Sequence, residues 1–116
     1  MSISIPQLEE KLNVLPSQIR NQKLIVTEKE KELDEMKLEF NVSYSLALVQ
    51  AKKPNATEKK CEAVILSQEF GKKVIEATYN LKKEQAALEY LSDKFTSCRK
   101  IASIEIELIK SQVSGQ

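Results

Sequence analysis

A chain of 116 residues suits one domain rather than two, and 41% hydrophobic with 30% charged residues is too apolar a balance for a disordered chain. Two glycines and three prolines are too few turn formers for an all-β fold, and 5% aromatics would leave an ordinary globular core hard to fill. Basic and acidic residues nearly cancel, 18 against 17, so global charge singles out no partner. What remains is the composition of long helices with seams of Leu, Ile, Val and Ala.

The first predicted element is a short helix over 5–15. Ser4 is placed to cap it, Pro6 suits its first turn, and Leu8, Leu12 and Leu15 follow at helical spacing. Pro16 disfavours helical geometry at Leu15, so a break or kink is expected there. A long helix follows over 16–51. Ile19, Val26, Leu33, Phe40 and Ala47 recur every seven residues, with Met36 beside them, as in a coiled-coil seam. Gln22 and Lys29 make the seam polar near its start. The mixed run Glu28-Lys29-Glu30-Lys31-Glu32 reads as a solvated face.

"KKPNATEKK", residues 52–60, is where the helical pattern stops. Pro54 forces Lys53 out of helical geometry, and Asn55 to Glu58 has the spacing of a capping box. Residues 52–57 are therefore a bend joining two helices. One such bend in mid-chain predicts an all-α fold, an antiparallel helical hairpin. A short helix is expected over 57–66, with Cys61, Val64 and Ile65 as its apolar face. Ser67-Gln68-Glu69 offers another cap, and Gly71 lies just beyond, so a local break is favoured over one helix tolerating Gly71 at ~1 kcal/mol. The last helix spans 68–113. Val74, Leu81, Leu88, Phe95, Ala102 and Ile109 keep the seven-residue spacing, flanked by Ala77, Leu91 and Cys98 and interrupted by Glu84 and Glu105. In "IASIEIELI" apolar residues spread beyond one stripe. Ile101, Ile104, Leu108 and Ile109 are thus expected to meet another chain, or the N-terminal helix, and the protein is expected to be an oligomer.

Little in the sequence suggests catalysis. It contains no histidine, and Gly71 and Gly115 are its only glycines, so it has no phosphate-binding glycine loop. Cys61 and Cys98 lack metal or redox spacing and read as buried free thiols. Neighbouring acids such as Glu9-Glu10 and Asp34-Glu35 do not converge on one point. A non-enzyme without cofactor or metal is expected. Neither a signal peptide nor an apolar run near the ~20 residues of a membrane span is evident, so a soluble, cytoplasmic protein without membrane partners is expected. The sequons Asn41-Val42-Ser43 and Asn55-Ala56-Thr57 read as chance matches without a secretory signal.

The arrangement of the lysines is more informative than their number. Residues 1–51 hold six basic and eight acidic residues, whereas 52–116 hold twelve and nine. Doublets recur at Lys52-Lys53, Lys59-Lys60 and Lys72-Lys73, the first two at the bend and the third near it. The plain reading is lysines that keep a loop soluble. The sharper reading is a phosphate-binding tip, since clustered lysines neutralise a nucleic-acid backbone without reading its sequence. Tyr44, Tyr79 and Tyr90 are candidates for base stacking, although a seam role suits them better.

A long helix ending in a basic bend, then "AVILSQEF" (63–70), then a long helix carrying "LEYLSDKFTSCRKIASI" (88–104), resembles phage recombination-mediator proteins of the UvsY type and related accessory proteins encoded near recombinases. The resemblance spans roughly residues 16–104. It implies a helical oligomer that binds single-stranded DNA, helps a recombinase displace single-strand-binding protein, and works in the host cytoplasm. Lys52 and Lys53 match the placement of that family's basic residues, and Lys59 and Lys60 follow it. The first helix departs from the pattern: its acids through 28–39 argue against an extended DNA track along it. The alternative is a coiled-coil adaptor, scaffold or assembly chaperone with protein partners only.

Overall fold

A computed structural model describes residues 4–114 and shows three helices, with no strand among the described residues. They are α1 (Ile5–Gln50), α2 (Ala56–Leu66) and α3 (Gln68–Ser114). The chain is all-α, an antiparallel helical hairpin with coiled-coil-like seams. It divides into two units, one built from Met1–Leu24 with Gln85–Gln116 and the other from Ile25–Glu84.

The start of α1 follows the sequence. The Ser4 hydroxyl accepts from the Gln7 backbone N–H at 3.3 Å, and the Gln7 side-chain oxygen accepts from the Ser4 N–H at 3.2 Å. This reciprocal cap satisfies two donors that a helix end would otherwise leave open. The expected break at Leu15-Pro16 does not occur, because α1 runs through Pro16 without interruption. A proline inside a helix costs about 3 kcal/mol. Leu8 and Leu15 offset it: both are buried, Leu15 to 2% exposure, in a cluster with Cys98 that Leu12, Leu91, Phe95, Ile101 and Ala102 complete. Burying a leucine contributes roughly 1.5–3 kcal/mol, so two suffice to hold the helix together across the proline.

In the first unit the buried and half-buried positions of α1 are Leu8, Leu12, Leu15, Ile19 and Gln22. Those of α3 include Leu88, Leu91, Phe95, Cys98, Ala102 and Glu105. The alternating steps of four and three are a heptad seam, and the polar Gln22 and Glu105 sit within it as expected. The seam ends sooner than the sequence suggests. Burial stops at Glu105, and Ile109 is exposed, since Ile101 and Ala102 already pack in the cluster around Leu8, the first buried residue of α1.

In the second unit the same steps continue through Val26, Lys29, Leu33, Met36 and Phe40 on α1, and through Val74, Ala77, Leu81 and Glu84 on α3. Lys29 is half-buried on the seam and its Nζ lies 3.2 Å from a Glu32 carboxylate oxygen, which accounts for a lysine at that position. Phe40 stacks on Tyr44, with ring centroids 6.2 Å apart. Gly71 lies within α3 rather than at a break, and a Cβ there would meet the Phe40 ring at 3.4 Å.

The break falls at Ser67, between α2 and α3. Its backbone has left helical geometry (φ −99°, ψ 9°), yet its N–H still donates to the Ala63 carbonyl. Its fully buried hydroxyl donates to the same carbonyl at 2.6 Å. The burial of α2 differs from expectation. Ala63 is wholly buried, whereas Cys61, Val64 and Ile65 are exposed. Near the bend the buried side chains are small, namely Ala47, Ala63 and Ser67, and this places the larger apolar residues of α2 outside.

Candidate nucleic-acid interface

The bend occupies residues 51–55. At the end of α1 the Ala51 N–H donates to the Leu48 carbonyl at 3.4 Å, a tightened final turn. Asn55 is extended (φ −125°, ψ 164°), and its side-chain oxygen accepts from the Glu58 N–H at 2.8 Å, starting α2 one residue earlier than expected. This cap gives Asn55 a structural task and explains the polar residues after Pro54.

Within the nine residues 52–60 stand four lysines and one acid, Glu58. Lys52, Lys53 and Lys60 are exposed, and Lys59 is half-buried. A lysine can lay its aliphatic stem along a surface and still hold its ammonium in water. Lys52 and Lys53 precede the cap of α2, and Lys59 and Lys60 lie in its first two turns, so the chain gathers these four at one end of the unit. Lys72 and Lys73 belong to α3 and are otherwise engaged. The Lys72 ammonium lies 3.4 Å from Glu69, and the Lys73 ammonium lies 5.3 Å from the centre of the Phe70 ring. The ion pair is well exposed, so it holds Lys72 weakly.

The tyrosines separate. Tyr44 is half-buried on Phe40, in keeping with a seam role, but Tyr79 and Tyr90 are mostly exposed and not in the seam. On their helix the seam is set by Ala77, Leu81, Leu88 and Leu91, and Tyr79 and Tyr90 fall outside that spacing. Tyr90 carries Lys94 over its ring at 5.9 Å, in the first unit. Cys98 is buried as expected and Cys61 is not, because it projects from the opposite side of α2 to Ala63. Of the residues expected to meet another chain, Ile101 is half-buried against the Leu8–Leu15–Cys98 cluster, while Ile104, Leu108 and Ile109 are half or more exposed. Among the described residues no three His, Cys, Asp or Glu side chains group as metal ligands would, and no helix is long and apolar enough to cross a membrane.

Sequence reasoning missed a groove in the second unit, lined by Leu38, Val42, Leu46, Leu66 and Phe70 with a volume of about 650 Å³. Its signal is present as a second apolar row, Leu38, Val42 and Leu46, at steps of four beside the seam. No family model matches the chain, and neither a curated protein nor a solved structure is similar to it.

Proposed function

We propose that the protein is a non-enzymatic helical accessory factor that binds single-stranded nucleic acid through the bend and assists the loading of a recombinase. The observation that carries this reading is the clustering of Lys52, Lys53, Lys59 and Lys60 at one turn, three of them exposed and none in an ion pair among the described residues. Such a cluster suits a phosphate backbone, which is bound by counterion release rather than by base readout. The DNA, the recombinase and the single-strand-binding protein enter through the resemblance to UvsY-type mediators. Self-association through Ile104, Leu108 and Ile109 belongs to the same proposal. It would set several bends on one strand.

The test is binding of a fluorescently labelled oligonucleotide at two salt concentrations. Changing Lys52, Lys53, Lys59 and Lys60 together to alanine should weaken binding at least tenfold, about 1.4 kcal/mol. The slope of log affinity against log salt should shrink by up to ~0.7 for each phosphate that is no longer neutralised. Unchanged affinity and slope would return these lysines to solubility. The second reading, an adaptor with protein partners only, would then lead, and the open apolar groove favours it.

A further inference from the structure

Three depressions on the second unit share lining residues in succession. Glu30, Asp34 and Glu35 line the first, which ends at Leu38. Leu38 also opens the apolar groove, which passes Val42 and Leu46 and reaches Leu66. Leu66 in turn lines the third depression together with Lys53. These surfaces form one continuous trough with an acidic end, an apolar middle and a basic end. Leu38, Val42, Leu46 and Leu66 are all half or more exposed, so the apolar middle has no cover within the chain.

We propose that this trough is the docking surface of a second copy of the chain, laid antiparallel across it about a two-fold axis. The argument is charge order. A two-fold axis reverses the direction of the partner, so it sets the acidic end of one trough against the basic end of the other. A register centred on residue 44 of α1 places Glu35 opposite the partner's Lys53 and Val42 opposite the partner's Leu46. Because the axis repeats every contact, each pairing occurs twice, as an isologous interface requires. The reverse, parallel arrangement would oppose acid to acid and lysine to lysine. A partner of other chemistry would need its own apolar row with a lysine at one end and carboxylates at the other, which this chain already carries. The contact lies within Ile25–Glu84 and is separate from the α3 end at Ile104–Ile109. It does not depend on nucleic-acid binding.

The experiment is sedimentation velocity over a range of protein concentrations, on the full chain and on an Ile104→Glu, Ile109→Glu background that blocks the α3 end. Both should associate into a dimer or larger species. Leu46→Glu, at an exposed position, should remove the groove contact and leave the blocked background monomeric, with helicity by circular dichroism unchanged. Glu35→Lys should weaken association several-fold, and adding Lys53→Glu should restore it, since the swap rebuilds both pairs. A blocked background that is already monomeric, association that survives Leu46→Glu, or a charge swap that weakens further instead of restoring would each overturn the proposal. Recovery on swapping is the outcome that a foreign partner docked in the groove does not produce.

Discussion

Gly71 is the residue whose substitution is most informative about the packing of the second unit. It sits inside α3 with no positive φ, so its backbone asks for nothing that alanine cannot supply. An added methyl would touch the Phe40 ring at 3.4 Å, an ordinary contact distance. Alanine is favoured over glycine in a helix interior by about 1 kcal/mol. Gly71→Ala should therefore raise the melting temperature by a few degrees, and a lowered one would show that the Phe40 ring cannot accept the methyl. The cysteines provide a second residue-level test. Cys61 is exposed and Cys98 buried, so a thiol reagent should label one site quickly in the native protein and the second only on unfolding. Two fast sites would mean that the Leu8–Leu15–Cys98 cluster opens readily.

Pro16 shows what element-scale reasoning from sequence can and cannot deliver. The heptads are legible, because leucine, isoleucine and valine at alternating steps of three and four leave few alternatives to a helix seam. The caps are legible too, at Ser4 and Asn55, since their chemistry lies within four residues. The expected break at Pro16 fails because it weighs a local preference alone, whereas Leu8 and Leu15 are buried by a segment more than 70 residues away. The expected face of α2 fails for the same kind of reason: Val64 and Ile65 are more apolar than Ala63, but the buried positions near the bend hold only small side chains. The lysine cluster is visible as a string, yet the contacts of Lys72 with Glu69 and of Lys73 with Phe70 emerge only from the fold. Two substitutions test the account of α1. Pro16→Ala restores a donor to the Leu12 carbonyl, and after allowing for the greater freedom of the unfolded chain it should stabilise by about 2 kcal/mol. Leu15→Ala should destabilise by roughly 2–5 kcal/mol. Chemical denaturation followed by circular dichroism measures both, and a neutral Leu15→Ala would remove the reason given for the unbroken helix.

At the scale of the whole molecule, weak local features gain meaning through repetition. Four lysines at one bend make few phosphate contacts, and affinity from such contacts falls steeply with salt. Several bends on one strand convert later contacts into intramolecular ones, and linked sites of this kind can gain about 10²–10⁴ over a single site when geometry allows. The exposed Ile104 and Ile109 supply the means of assembly in the proposed function. Changing both to glutamate should therefore reduce affinity for an oligonucleotide of about 40 nucleotides by at least tenfold. Affinity for one of about 6 nucleotides, which reaches a single bend, should hardly change. The quadruple lysine variant should weaken both lengths alike in direction. Fluorescence anisotropy on the two oligonucleotides separates these cases, because the effect of the isoleucine variant depends on length and that of the lysine variant does not require it. Equal weakening on both lengths in the isoleucine variant would show that residues 104–109 touch the strand themselves, and the assembly argument would fail.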